Sequence, residues 1–258
     1  MAGSSNPVRQ ALLERRLCIG TWIQVGHPAV AEVLAEAGFA WIAVDCEHTD
    51  IGLESLGAVL RGMQGRPVVP FVRARENDTL AIRQALDLGA RGVIVPLINT
   101  AEEAEAAVRA AKYPPRGERG YGFCRANDHG SRFGEYVKTA NEDVAVVVMI
   151  ESRLGVENIE SILEVDGVDG IFLGPYDLSG SYGVPGDIEG PAVEAAGQRV
   201  KDMCRKHGKS SGLHVVKPTE NNIRHAIDSG FTFLALGIDT VFMDQAARLA
   251  LQTAKMGR

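Results

Sequence analysis

The sequence predicts an α/β protein, a single-domain (β/α)8 or TIM barrel, and three observations point there. Its 258 residues match the roughly 250 typical of one such barrel and suffice for one large core. Short apolar, β-branched runs alternate with amphipathic segments eight times along nearly the whole chain. Several runs are continuously hydrophobic, as parallel strands covered on both faces must be. Finally, "AEAGFAWIAVD", "LDLGARGVIVP" and "IDSGFTFLALG" share one plan: a helix end, a glycine, then a buried strand. That is the recurrence of one βα unit and not a solenoid. An open doubly wound sheet is the alternative architecture.

The elements follow in order. Pro7–Arg15 reads as a helix, part of an N-terminal segment (residues 1–16) that caps the barrel floor. Strands are expected at Cys18–Val25, Trp41–Asp45, Val68–Val72, Gly92–Pro96, Ala145–Ile150, Gly170–Leu173, Gly212–Val216 and Phe233–Gly237. Helical periodicity falls at Ala29–Ala37, Leu53–Met63, Leu80–Leu88, Glu102–Ala111, Val156–Leu163, Pro191–His207, Asn221–Asp228 and Val241–Ala254. Gly38, Gly89, Gly208 and Gly230 stand where a left-handed residue ends a helix. The link from Tyr113 to Asp143 holds Pro114-Pro115, Gly117, Gly120, Gly122 and Gly130 and is read as a long loop. Loops of that length are usually functional or form interfaces.

Composition narrows the function. With 45% hydrophobic and 23% charged residues, the chain is neither disordered nor a membrane protein by composition. A net charge of -6 argues against a broad nucleic-acid surface. It leaves an anionic substrate open, because one arginine or metal can make a pocket positive. Cys18, Cys46, Cys124 and Cys204 form no CxxC pair, the pattern of reduced thiols. The N-terminal Met-Ala-Gly-Ser-Ser-Asn-Pro has no apolar core, and no apolar run of ~18 residues occurs. A cytoplasmic protein without membrane contact is expected. No GxGxxG or GxxxxGK[ST] follows a strand, so nothing supports a nucleotide.

Barrel enzymes carry their chemistry at the C-terminal ends of the strands. Here strand two ends Asp45-Cys46-Glu47-His48 and strand three ends at Arg73. Strand five ends at Glu151, and strand six ends Gly174-Pro175-Tyr176-Asp177. These ends supply carboxylates, a histidine and an arginine, a set that suits an oxygen-ligated cation, an acid/base and an anion clamp. Glu151 follows "VAVVVMI", which would bury any carboxylate unless it is paired or metal-bound. Pairing with Arg153, or simply starting a helix, is the alternative. Asp177 could instead be a helix N-cap. Two carboxylates at neighbouring strand ends favour a hard divalent cation, Mg²⁺ or Mn²⁺, over a Cys/His zinc site. Trp22 reads equally as pocket wall or core.

"WIAVDCEHTD", "PFVRAREND", "LDLGARGVIVP", "YPPRGERGYG", "VVVMIES" and "VDGVDGIFLGPYDLSGSYGVPG" together resemble the HpcH/HpaI class II aldolases, from about Gly20 to about Asp239. The D-x-E-H and G-P-x-D-L-S segments are the most specific. That family includes 4-hydroxy-2-oxoheptanedioate and 2-keto-3-deoxy sugar-acid aldolases. The resemblance implies a barrel of the phosphoenolpyruvate/pyruvate type. It also implies cleavage of a 4-hydroxy-2-oxo acid into pyruvate, or a close 2-oxo acid, and an aldehyde. Glu151 and Asp177 match the carboxylates that bind the divalent metal (Mg²⁺ or Mn²⁺, with Co²⁺, Ni²⁺ and Zn²⁺ as others of the class). Arg73 matches the arginine beside the keto oxygen, and the backbone of Gly174, Pro175, Tyr176 and Asp177 would receive the substrate carboxylate. His48 matches the acid/base, Asp87 the aspartate that orients it, and Asp45 a supporting carboxylate. From the residues alone Asp87 would read as a solvated helix position. Glu47 is read as structural or interfacial. The resemblance further implies a homo-oligomer, a hexamer built as a dimer of trimers or a trimer of dimers. Its last helix, 240–256, would be exchanged between subunits; the apolar stripe of Val241–Ala254 fits packing within the chain equally.

Some positions depart from the family pattern. Met149 stands where some members carry glutamine, and His214 where an aliphatic residue is expected. Alternation puts Gly212, His214 and Val216 on one strand face. Facing inward, His214 would lie near the substrate methyl or the aldehyde and tune acceptor specificity; a hydrogen-bonded core histidine is the other reading. Lys217, beside Pro218 and past the strand, is poorly placed for a Schiff base. Arg75, Arg125 and Arg132 are candidates to meet a polar aldehyde. Two other functions stay open: a CoA-thioester lyase of the citrate lyase β-subunit type, and a non-catalytic 2-oxo acid binding barrel.

Overall fold

Every apolar run named above becomes a strand. The computed structural model describes residues 6–256, in which eight parallel strands close into one barrel in sequence order. They are β1 (Cys18–Ile23), β2 (Trp41–Asp45), β3 (Val69–Arg73), β4 (Gly92–Val95), β5 (Ala145–Ile150), β6 (Gly170–Leu173), β7 (Ser210–Val215) and β8 (Phe233–Ile238). The first five residues, and with them most of the N-terminal stretch discussed above, lie outside the described residues. The open-sheet alternative fails because β1 pairs with β8 as well as with β2.

Two apolar layers hold the barrel. Inside, Trp22, Trp41, Phe71, Phe172 and Phe233 pack ring on ring, with Trp41 stacked on Phe233 at 4.2 Å between centroids. Gly20 makes room for this filling, since a Cβ there would lie 2.1 Å from the Trp41 ring. Outside, the alternate strand residues (Val44, Val72, Val93, Val146, Val148, Ile171 and Leu234 among them) pack against the helices. Period-two alternation thus places one set of side chains inside and its neighbours outside.

The returning helices are α2 (Pro28–Glu36), α3 (Leu53–Gly62), α4 (Thr79–Asp87), α5 (Ala101–Ala111), α6 (Phe133–Asp143), α7 (Arg153–Glu157), α8 (Ile159–Glu164), α9 (Pro175–Ser181), α10 (Pro191–Lys206), α11 (Glu220–Asp228) and α12 (Asp239–Met256), after α1 (Pro7–Leu13). Gly38, Gly89, Gly208 and Gly230 take the positive φ expected of them, between 66° and 104°. α1 closes the floor: the Arg9 Nε donates to both Asp169 oxygens at 3.1 Å, and Asn6 caps the helix.

The differences from expectation are local. The segment expected as one helix over Val156–Leu163 is two, broken at Asn158. The long link holds a 3-10 turn (Arg125–Gly130) and α6. α6 buries only Ala140, so it leaves little apolar periodicity to read. α12 is the outlier of the fold. Of its 18 residues Asp239 alone is buried, while Met243, Leu249 and Leu251 are exposed. Among the described residues, no helix is long and apolar enough to cross a membrane.

Candidate active site

The mouth of the barrel holds a pocket of about 210 Å³ lined by residues from most of the strands. Its anchor is a salt bridge between neighbouring strands. Asp45 and Arg73 occupy paired positions at the ends of β2 and β3. The guanidinium therefore meets the carboxylate side-on, Nε to Oδ1 at 2.9 Å and Nη2 to Oδ2 at 2.6 Å. Gln24, just past β1, donates to Asp45 Oδ2 at 3.0 Å. Burial would raise the Asp45 pKa, but the bonds from Arg73 and Gln24 win and hold it below the ordinary carboxylate value. The same carboxylate accepts the backbone N–H groups of Glu47 and His48, which folds the D-x-E-H segment into a turn. Arg73 also lies over the Trp22 ring, 4.8 Å from its centroid.

Three further carboxylates converge beside this clamp. Glu151, 5% exposed at the end of β5, accepts from the Leu97 N–H at 3.0 Å. Leu97 takes a φ of 55° there, a sparsely populated conformation for a leucine. Burial pushes Glu151 up to about 7; the Leu97 bond opposes the rise, and the charges of Glu47 and Asp177 add to it. Gly174 stands directly against this carboxylate, since a Cβ there would lie 2.5 Å from Glu151 Oε1. The glycine of "GPYDLSG" is thus required by the glutamate it faces. Asp177 sits in the first turn of α9, whose N-cap is Gly174, so Asp177 is not the N-cap residue. Arg153 pairs with Glu157 at 2.7 Å, which removes it as the partner of Glu151.

Glu47, read from the sequence as structural or interfacial, is the third of these carboxylates. Its Oε2 lies 3.2 Å from Arg73 Nη1 and 3.8 Å from His48 Nε2. Burial raises its pKa against the pull of Arg73, and the charges of Asp45 and Asp177 raise it further. The Asp45 turn that sets His48 at the mouth also holds Glu47 beside Arg73.

His214 lies inward on β7, its ring tilted 5.7 Å from Trp22. Its Nε2 lies 3.0 Å from the Gly237 carbonyl. Burial pushes its pKa down to about 4, opposed by that bond.

The HpcH/HpaI aldolase/citrate lyase family model matches residues 18–246, which takes in every residue of this pocket. The chain belongs to that family. It is 41% identical to a 4-hydroxy-2-oxovalerate aldolase of Rhodococcus jostii over 99% of both chains. It is 40% identical to a hydroxypyruvate/pyruvate aldolase of Deinococcus radiodurans, covering 95% of this chain and 88% of the other. A crystal structure of an HpcH/HpaI aldolase/citrate lyase family protein from Burkholderia cenocepacia superposes with a TM-score of 0.93 at 34% identity, covering 97% and 100% of the two chains.

Of the residues singled out in the sequence, the structure gathers Trp22, Asp45, His48, Arg73, Glu151, Gly174, Pro175, Tyr176, Asp177 and His214 around one pocket. Asp87 is not among them. As the last residue of α4 it sits at the floor, where its Oδ1 accepts from Arg119 Nη2 at 2.7 Å. Arg125 and Arg132 line a wide groove at that end, with Arg9 and Arg91. Arg75 donates to the Ile51 carbonyl at 3.1 Å. No lysine lines the pocket, and Lys217 is exposed beyond β7. Among the described residues, the one group of three metal-capable side chains with ligand atoms within 4.8 Å of one another is Glu160, Glu164 and His207. It lies on the outer helices α8 and α10, where Glu160 already pairs with Lys206, and not at the mouth.

Proposed function

We propose that the mouth of this barrel performs metal-assisted, reversible aldol cleavage. The chain is a class II pyruvate aldolase, a carbon–carbon lyase: a 4-hydroxy-2-oxo acid yields pyruvate, or a close 2-oxo acid, and an aldehyde. The observation that carries this reading is the convergence of Glu47, Glu151 and Asp177 beside the Asp45–Arg73 clamp. The burial and mutual repulsion that raise Glu47 and Glu151 leave a negative site that a divalent cation fits. Glu151 and Asp177 would hold it, with Mg²⁺ or Mn²⁺ favoured by all-oxygen donors. When bound, such an ion supplies a Lewis acid for the oxo and carboxylate oxygens of the substrate.

The protein's own groups do the rest. Arg73, fixed by Asp45 and Gln24, presents its guanidinium to the oxygen that becomes anionic as the C3–C4 bond breaks. The first-turn N–H groups of Tyr176 and Asp177 have no helical acceptors and receive the substrate carboxylate. His48, at the rim, takes the C4 hydroxyl proton through a water as the aldehyde forms, and a proton returns to C3 to give the 2-oxo acid. Deuterium exchange into the pyruvate methyl group, followed by NMR, tests this. Exchange should need added Mg²⁺ or Mn²⁺ and stop in EDTA; exchange that persists in EDTA would remove the metal from the chemistry.

A stability measurement bears on the same site. A carboxyl whose folded pKa is raised loses stability as pH climbs from its unfolded value to its folded one. For Glu151 that window runs from 4.5 to about 7. The cation-free protein should therefore gain more in Tm from Mn²⁺ at pH 8 than at pH 5. Equal gains at both pH values would place the ion elsewhere.

Assembly completes the proposal. The family pattern pairs Asp87 with His48, yet the fold puts them at opposite ends of the barrel, so only another copy can bring them together. α12, with its exposed Leu249 and Leu251, packs on that neighbour in a hexamer. His48→Ala and Asp87→Asn, each inactive alone, should regain part of the activity when unfolded and refolded together. No recovery in mixed oligomers would separate Asp87 from the site. The unpaired Cys18, Cys46, Cys124 and Cys204 suit the reducing cytoplasm.

A further inference from the structure

The aldolase reading leaves one polar group of the pocket without work. His214 stands on the inner face of β7, against Trp22. Its Nε2 faces the Gly237 carbonyl at 3.0 Å, and a carbonyl can only accept, so Nε2 carries the ring hydrogen. The other nitrogen, Nδ1, is then a lone-pair acceptor. Among the described residues it has no partner, and it is open to the pocket.

The tautomer is built into the fold. Between Gly20 and Trp22 of β1, the paired strand β8 advances from Ala235 to Ile238, one residue too many. The extra residue is a β-bulge, and Gly237 within it takes a φ of 63°. A Cβ there would meet the Phe242 ring at 2.3 Å, so a side chain would have to displace that ring. Gly237 thereby offers its carbonyl to His214 rather than only to the ladder. Trp22 packs on the ring, and Phe172, Val216 and Ile238 add apolar wall to the same pocket. A lone acceptor in such a wall selects a hydroxyl, and it repels a carboxylate or carbonyl, which has no hydrogen to give.

Its position says which hydroxyl. Trp22 touches both groups: Arg73 lies 4.8 Å from its ring and the His214 ring 5.7 Å from it. With the oxo oxygen at Arg73 and the carboxylate at Tyr176 and Asp177, the carbon left to face Trp22 and His214 is carbon 3 of the donor. An aldehyde enters from above, past Val216, which lies two residues nearer the mouth. We infer that His214 is a specificity-determining residue for the donor, accepting a hydrogen bond from a hydroxyl on carbon 3 of a 3-hydroxy-2-oxo acid. Hydroxypyruvate is the smallest acid of this class. The inference rests on the aldolase reading for the placement of the oxo group.

The test compares hydroxypyruvate and pyruvate as donors, with acetaldehyde as common acceptor, in the wild type, His214→Leu and His214→Asn. The ratio of their kcat/KM values should fall about 10-fold in the leucine variant, the worth of one hydrogen bond. It should return in the asparagine variant, whose amide oxygen replaces Nδ1. Quenching of Trp22 fluorescence by each acid gives the same ratio as Kd values without turnover. A ratio unmoved by leucine, or a changed aldehyde range with the donor ratio intact, overturns the inference. A wild type that binds hydroxypyruvate more tightly but turns over neither acid would instead remove the aldolase reading and leave His214 its role.

Discussion

Glu151→Gln is expected to lower turnover by about 10³-fold while making the cation-free protein more stable. The two effects have one cause. Glu151 is 5% exposed, its pKa is pushed up to about 7, and its one bonded donor is the Leu97 N–H. Ionising it at pH 8 in the cation-free protein costs about 3 kcal/mol relative to an ordinary glutamate. An amide keeps the shape and can still accept from Leu97, so the charge is lost and the packing is not. The Tm at pH 8 should rise by roughly 5–10 °C. The same change removes one of two proposed protein ligands, so Mn²⁺ affinity should fall steeply in calorimetry. Activity within a factor of ten of the wild type, with Mn²⁺ affinity intact, would show that Glu151 is not a ligand.

Arg73→Lys should fail in both respects, losing activity by about 10²-fold or more and stability as well. Lysine keeps the charge but not the planar fork. Asp45 is 1% exposed and takes two parallel bonds from the guanidinium, which an ammonium cannot supply. Leaving that carboxylate short of its partner costs about 3–5 kcal/mol at the upper end. Glu47 loses its nearest cation too, at 3.2 Å, and the Trp22 face loses its cover. Adding Asp45→Asn to Arg73→Lys should recover part of the stability but none of the activity. If Arg73→Lys retained turnover within threefold, Arg73 would be a strut for Asp45 and no more.

These two residues also show why some of the site was legible in the sequence. Glu151 and Arg73 each end an apolar run, and in a parallel barrel every run ends on the same side. Once eight runs were counted, the polar residues that stop them had to meet. Strand limits followed for the same reason: β2, β5 and β6 fall where expected because their hydrophobic runs have abrupt polar ends. The contact of Glu47 with Arg73 was not legible, because in a strand-end turn, sequence does not say which side chain points inward. The bonds from its own N–H and that of His48 to Asp45 decide it.

Other features depend on contacts between distant segments. Asp87 reads as a helix position beside a glycine, and nothing local tells that it ends at the floor against Arg119, 32 residues on. The sequence by itself determined the eight strands and the helices between them, because alternation and period are local properties of the chain, while closure rests on the pairing of β1 with β8. It also named, through its strand-end motifs, Arg73, Glu151 and Asp177, which the fold brings to one pocket. The tertiary structure alone decided the Asp45–Arg73 clamp, the crowding of Glu47 and Glu151, and the tautomer of His214. Each of these is set by a distance across neighbouring or opposite strands, and in the last case by one extra residue in β8.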